Sequence, residues 1–255
     1  MLNAPNVLAI ALCIVLAAVV IVGMCVCRGL RHTSLAERST KKETATAPFD
    51  VVFVNLDYRK DRRQWMEQQL QGWPNVQRLP AVHGRTLNLP ALVPDTLHPS
   101  VVHEVDAPNE TKTFGFTLTR GAVGCALSHR KAWEQVQDKP LLILEDDVLV
   151  TCTPSDVQAY LKRAPADWDM LYLGSGQYIK GPEVSPGIFR VQHAYQLIGY
   201  LVRPSSVPKL MKVFPLTIQV DSVLNQVGLK AYIVEPHMVE PRRDMGTDIQ
   251  IADYR

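Results

Sequence analysis

Three consecutive carboxylates, Glu145, Asp146 and Asp147, follow four large aliphatic residues, Leu141 to Leu144. Adjacent carboxylates repel one another, and the repulsion turns to advantage when a divalent cation sits between them. Glu145 and Asp147 are one residue apart, the spacing that lets alternate side chains of an extended chain point to the same side. Burying three unpaired acids would cost several kcal/mol each. The chain must therefore leave the core at Glu145, at the carboxyl end of a strand, where ligands bind in open α/β sheets.

The elements that position these acids follow from apolar patterning. Leu141 to Leu144 is continuous, without polar alternation, and is predicted to be a strand buried on both faces. Asp50 to Leu56 is a similar first strand, closed by Asn55 and Asp57. Lys60 to Leu70 places Trp65, Met66 and Leu70 at helical spacing, and Gly72 and Pro74 stop it. With a strand at Val76 to Val82 this makes a right-handed βαβ unit. Arg85 to Thr113 is irregular and proline-rich, long enough to be functional. A helix over Gly121 to Gln137 carries Ser128 and His129, and another spans Pro154 to Arg163. Further strands are expected at Asp169 to Leu173, Ile188 to Val191, Leu197 to Val202 and Ala231 to Val234. A glycine-containing loop is expected at Gly174 to Gly187, and helices at Ser205 to Val213 and Asp221 to Val227. Alternating strands and helices give an α/β class with one mixed, mostly parallel sheet.

Residues 7–27 contain no charged side chain and are close to the ~20 residues that span a bilayer as a helix. They are read as a transmembrane anchor preceded by a short flank, 1–6. Residues 28–48, polar and rich in Ser, Thr and Ala, are read as a stem, with the catalytic-type domain over 49–255. Arg28, Arg31, Arg38, Lys41 and Lys42 follow the span, which by the positive-inside rule favours a cytosolic body. The sequon at Asn109 favours a lumenal one.

A net charge of +2 and the lack of a basic stripe interleaved with aromatics argue against nucleic acid as a partner. Cys125 and Cys152 have no metal-ligand spacing and read as small half-buried thiols.

Two enzymatic contexts use an acidic strand exit. A phosphotransfer receiver would need an Asp at the end of the next strand, and Gly174 stands there. Sugar transfer from a nucleotide diphosphate needs carboxylates to hold a cation on the diphosphate. The chain resembles the family 25 glycosyltransferases, which include bacterial lipooligosaccharide galactosyltransferases and animal procollagen galactosyltransferases. The resemblance lies in Val54-Asn55-Leu56-Asp57 with Arg59, Asp61 and Arg62, in Pro80-Ala81-Val82-His83-Gly84, and in Gly124-Cys125-Ala126-Leu127-Ser128-His129 with Trp133. It continues in Leu144-Glu145-Asp146-Asp147-Val148 and in Trp168-Asp169 with Tyr172-Leu173-Gly174. Two places depart from the pattern. Gln196-Leu197 replaces a Gly-Thr pair, and Arg203-Pro204 stands where a Ser is usual.

The resemblance implies a GT-A-like nucleotide-binding fold and inverting transfer of a hexose, most often galactose from UDP-galactose, usually with manganese. The acceptor would be a glycan or protein hydroxyl, in the endomembrane lumen. Under it, Asn55 and Asp57 would hold base and ribose, and Arg59 and Arg62 would reach the diphosphate, for which a guanidinium fork is suited. The same arginines also fit a solvated helix start. Ser128, His129 and Asp146 would complete the donor site, although His129 is equally read as a structural histidine. Glu145, Asp147 and His237 would hold the cation, an imidazole suiting a transition metal. His237 reads equally as a surface residue. Inversion needs one general base, for which Asp221 is the candidate, alongside its reading as a helix cap. A non-catalytic binding module that keeps the fold is the alternative to an enzyme.

Overall fold

The computed structural model describes residues 47–108, 111–112 and 117–249. The expected anchor, the stem up to residue 46 and Asn109 of the sequon lie outside them. Among the described residues no helix is long and apolar enough to cross a membrane.

An eight-stranded mixed sheet has the order β2-β1-β3-β8-β5-β9-β7-β6. The strands are β1 (Asp50–Asn55), β2 (Val76–Pro80), β3 (Leu141–Glu145), β5 (Met170–Gly174), β6 (Gln177–Ser185), β7 (Ile188–Tyr195), β8 (Gly199–Val202) and β9 (Ala231–Val234). β1 pairs in parallel with β2 and β3, and β5 with β9. β8 runs antiparallel between β3 and β5, and β7 antiparallel between β9 and β6. All strands but β7 and β8 therefore point one way. A short ribbon outside this sheet joins β4 (Val148–Val150) to β10 (Val239–Pro241).

The uninterrupted apolar runs have the burial expected of them. In β3, Leu141 and Ile143 enter one core and Leu142 and Leu144 the other. In β1, Val52 and Val54 share the first core, while Val51 and Phe53 share the second. Each strand feeds both layers because alternate side chains leave opposite faces. Helix α1 (Lys60–Gln69) and α3 (Pro154–Arg163) cover the second face; α2 (Arg120–Trp133) covers the first. The irregular segment after β2 folds as 3-10 turns and a single helical turn at Val102–Val105. The helix expected at Ser205 to Val213 is broken into short turns, with α-helix only over Val207–Leu210.

The glycine-containing loop expected at 174–187 is instead largely strand β6, in a hairpin with β7. This is an edge strand, bulged and mostly exposed, and it contains Gly181 and Pro182. Such a strand carries no apolar alternation to read, and Pro is tolerated only at an edge or bulge. Gly174 has its own reason. A Cβ there would stand 1.8 Å from the Val239 carbonyl, so β10 crosses the end of β5 only over a glycine.

Candidate active site

A cleft of about 460 Å³ opens at the carboxyl ends of β1, β2 and β3. Glu145, Asp146 and Asp147 form one side, and Arg85, Lys112 and Arg120 also line it.

α2 is placed against the cleft by its cap and its glycines. The Thr119 hydroxyl accepts the Ala122 N–H, the usual N-cap bond. A Cβ on Gly124 would be 2.7 Å from the Val82 carbonyl, and one on Gly84 would be 1.9 Å from the Arg120 carbonyl. The exit of β2 and the helix therefore pack backbone to backbone. Ser128 stitches this seam: its hydroxyl accepts the Val82 N–H at 2.8 Å and donates to the Gly124 carbonyl at 2.7 Å. It is buried, and both of its bonds are internal.

The three acids have different surroundings. Asp146 is buried, accepting the Asn55 amide at 2.6 Å and Arg62 Nη1 at 2.8 Å. Burial raises its carboxyl above the ordinary value in spite of both partners. Asp147 lies 3.1 Å from the same Arg62 nitrogen. Burial first, and then the Glu145 charge, push the Asp147 carboxyl up to about 7. Its carbonyl accepts the Arg242 N–H at 2.6 Å, and Trp65 and Gln69 donate to the next carbonyl, Val148. Glu145 stands on the α2 side, 3.4 Å from His129 Nε2.

Asn55 is spent within the fold. Its Nδ2 also bonds the Arg59 carbonyl, and its Oδ1 accepts Arg78 Nε. Arg62 is buried too, a structural cation held by Asp146, Asp147 and the Gly246 carbonyl. This corrects the expectation of a solvated helix start, because the chain folds the acidic turn and the tail around Arg62, which still lines the cleft. Among the described residues its Nε has no partner. Asp57 is largely exposed and pairs with Arg78 at 2.5 Å. Arg59 binds Asp61 and Asp248, with the Tyr58 hydroxyl 2.6 Å from the same Asp248 carboxylate.

Two expected site residues, the cation ligand His237 and the general base Asp221, are not among those lining the cleft. His237 packs against Tyr178, ring centroids 5.1 Å apart, and does not line the cleft. β10 pairs with β4 and Met238 N–H bonds the Leu173 carbonyl, which seats Met238 in the core and leaves His237 against β6. Asp221 falls in the first turn of α4 (Val220–Leu224) and is not its cap, a position held by Gln219. Its carboxylate accepts the Gln196 N–H at 3.0 Å and the Ser222 N–H at 2.7 Å. It is close enough to help raise the thiol of Cys125, which lines the cleft. Burial is the larger cause there, followed by Glu145, so Cys125 stays a thiol.

Sequence reasoning left several cleft residues unassigned. Tyr58, His83, Arg85, Lys112, Arg120 and Asp248 all line it. The length of the irregular segment was the signal for Arg85 and Lys112, since long loops in compact domains are usually functional.

Comparison with known proteins matches residues 49–196 to the model described as Glycosyltransferase family 25 (LPS biosynthesis protein). Procollagen galactosyltransferase 1-A of Xenopus laevis is 28% identical over 80% of this chain and 38% of its own length. Procollagen galactosyltransferase 2 of Homo sapiens is 27% identical over 80% of this chain and 37% of its own. The human protein named Inactive glycosyltransferase 25 family member 3 is 32% identical over 69% of this chain and 31% of its own. The chain thus spans less than two fifths of the length of these relatives. Among solved structures, the apo-form glycosyltransferase GlyE of Streptococcus pneumoniae is 12% identical over 73% of this chain and 45% of its own, at a TM-score of 0.39, and carries no weight here. With more than half of its residues matched by the family model, the chain belongs to glycosyltransferase family 25.

Proposed function

We propose that the protein transfers a hexose, galactose, from UDP-galactose to a hydroxyl of a glycan or protein acceptor, using a divalent cation, Mn2+, held by Glu145 and Asp147. The observation that carries this reading is the crowding of carboxylates at the cleft. Of three adjacent acids, Asp146 and Asp147 share one buried cation, Arg62, and Asp147 is left to ionise only near pH 7. That excess of negative charge, made of hard oxygen donors, fits a divalent ion. A bound cation would neutralise charge developing on the departing diphosphate.

The chain's own residues divide the remaining work. Asp146, with Asn55 and Arg62, braces the acidic turn. The nucleotide would lie over the exits of β1 and β2, beside Tyr58, His83 and Arg85. Inversion needs one general base at the acceptor hydroxyl, and we assign it to Asp221, half-buried on the Cys125 side. The run of like-directed strands with acids at the exit of β3 supports a GT-A-like fold. Relatives named as procollagen galactosyltransferases support the sugar and an endomembrane lumen. The anchor at 7–27 would hold the body there. Protease protection in sealed microsomes checks this, a digested body meaning a cytosolic domain.

A relative named as inactive favours a second reading, a non-catalytic binding module. Transfer and donor hydrolysis with a panel of UDP-sugars, with and without Mn2+, separate the two. Metal-dependent turnover of UDP-galactose supports the transferase. No turnover, together with no Tm change on adding nucleotide, supports the module.

A further inference from the structure

Behind Glu145 lies a buried chain of polar groups with no part in the steps above. Trp133 Nε1 is 3.0 Å from the Tyr200 hydroxyl, that hydroxyl is 2.8 Å from Nδ1 of His129, and His129 Nε2 is 3.4 Å from Oε1 of Glu145. Trp133, Tyr200 and His129 are all buried, and the His129 ring also stacks on Trp133 with centroids 6.4 Å apart.

The direction of the chain follows from what each group can donate. An indole N–H only donates, so the Tyr200 oxygen accepts from Trp133. Among the described residues, the acceptor in reach of the Tyr200 proton is Nδ1 of His129. A neutral imidazole that accepts at Nδ1 carries its proton on Nε2, and that N–H faces Glu145. The other tautomer would strand the tyrosine proton in the core and set an imidazole lone pair against a carboxylate. Unmade bonds of buried polar groups are costly, which disfavours it.

The tautomer decides between two roles. Cys125, His129 and Glu145 offer ligand atoms within 4.8 Å of one another, a grouping that could hold a metal. A metal on His129 Nε2 would require a lone pair there, and the proton would move to Nδ1 against the Tyr200 bond. Metal-ligating side chains are commonly held by outer partners whose loss weakens the metal. We propose that Trp133 and Tyr200 lock His129 as the Nε2–H tautomer, making it a positioning residue that orients Glu145, and not a ligand of the cation or donor. The proposal rests on the reading of Glu145 as a cation ligand.

The test begins with the metal-free full chain labelled with 15N-histidine. Two-bond 1H–15N correlations report which ring nitrogen is protonated, and His129→Gln identifies the signal. His129 is expected to be protonated at Nε2 and to stay so when Mg2+ is added. Tyr200→Phe leaves Nδ1 without its donor and should loosen the ring while Glu145 keeps the proton on Nε2, weakening Mg2+ or Mn2+ binding by about 10- to 100-fold. His129→Gln, which keeps an amide N–H near the Nε2 position, should retain most of the affinity that His129→Ala loses. Nδ1–H in the wild type, or an Nε2 that becomes ligated on adding the cation, would overturn the proposal, as would Tyr200→Phe with unchanged cation affinity. Should Tyr200→Phe not fold, the wild-type tautomer decides alone. Wild-type protein that holds the tautomer but binds neither ion would overturn the cation reading, whereas the wrong tautomer with normal binding would overturn the lock alone.

Discussion

Arg62 Nη1 lies 2.8 Å from Asp146 Oδ1, a buried ion pair that joins the start of α1 to the acidic turn after β3. Removing one partner of a buried pair leaves an uncompensated charge and costs about 3–5 kcal/mol. Arg62→Met should therefore lower the stability of the chain by that amount, read as a shift in urea midpoint without a large change in m. A loss under about 1 kcal/mol, the range of surface ion pairs, would show that the pair is not the brace we describe.

The crowding of Asp147 sets a pH dependence of definite sign. Its folded pKa of about 7 lies above the unfolded value of about 4. Between these values the folded state binds more protons than the unfolded one, so the carboxyl's contribution makes stability fall as pH rises. A cation bound to the ionised form offsets that loss. Adding Mn2+ should raise Tm more at pH 8 than at pH 5, and cation affinity should tighten up to pH 7 and then level. An equal Tm shift at both pH values would remove Asp147 from the cation site.

Glu145 and Asp147 should be separable from Asp146 by kinetics. Asp147→Asn and Glu145→Gln should each lower kcat/KM at least about 100-fold, equivalent to roughly 2.7 kcal/mol of transition-state stabilisation. Both should also weaken Mn2+ activation. Asp146→Asn should instead show most of its defect as lost stability, because its oxygens face Asn55 and Arg62. Wild-type activity in Asp147→Asn would end the cation-ligand assignment.

Asp169 provides a test of the scaffold away from the cleft. It is buried, with Lys209 Nζ at 2.6 Å, the Lys230 N–H at 2.9 Å and the Ser206 hydroxyl at 3.2 Å. Burial alone would raise this carboxyl, but these partners outweigh it and hold it below its ordinary value. The stabilisation is present above the unfolded pKa near 4 and is lost as pH falls through the lower folded pKa. Asp169→Asn should cost about 1–3 kcal/mol at neutral pH and flatten the acid limb of the stability curve. An unchanged acid limb would show that the carboxylate's charge contributes nothing.

Much of the fold was legible because apolar runs report burial directly. Leu141 to Leu144 and Asp50 to Leu56 were expected to be buried strands, and the side chains of Leu141 to Leu144 and Val51 to Val54 do alternate between two cores. Helix α3 has the bounds expected, Pro154–Arg163, and the structure adds a capping box of Thr153 and Asp156 at its start. β6 and β10 were not legible, one being an exposed bulged edge and the other only three residues long. Neither has enough periodic apolar residues to give a signal.

The sequence by itself determined that an acidic turn must leave the sheet at Glu145, because burying unpaired carboxylates is prohibitive. It also determined which helices and strands flank that turn. Only the tertiary structure decided what each acid does. Asp146 is taken up by Asn55 and Arg62, from segments 91 and 84 residues earlier in the chain. Glu145 is faced by His129, whose orientation depends on Tyr200, 71 residues away. His237 is carried off to Tyr178 by the pairing of β10 with β4. Spacing along the chain reports local periodicity, whereas these partnerships arise from strand order and crossovers that bring distant residues together.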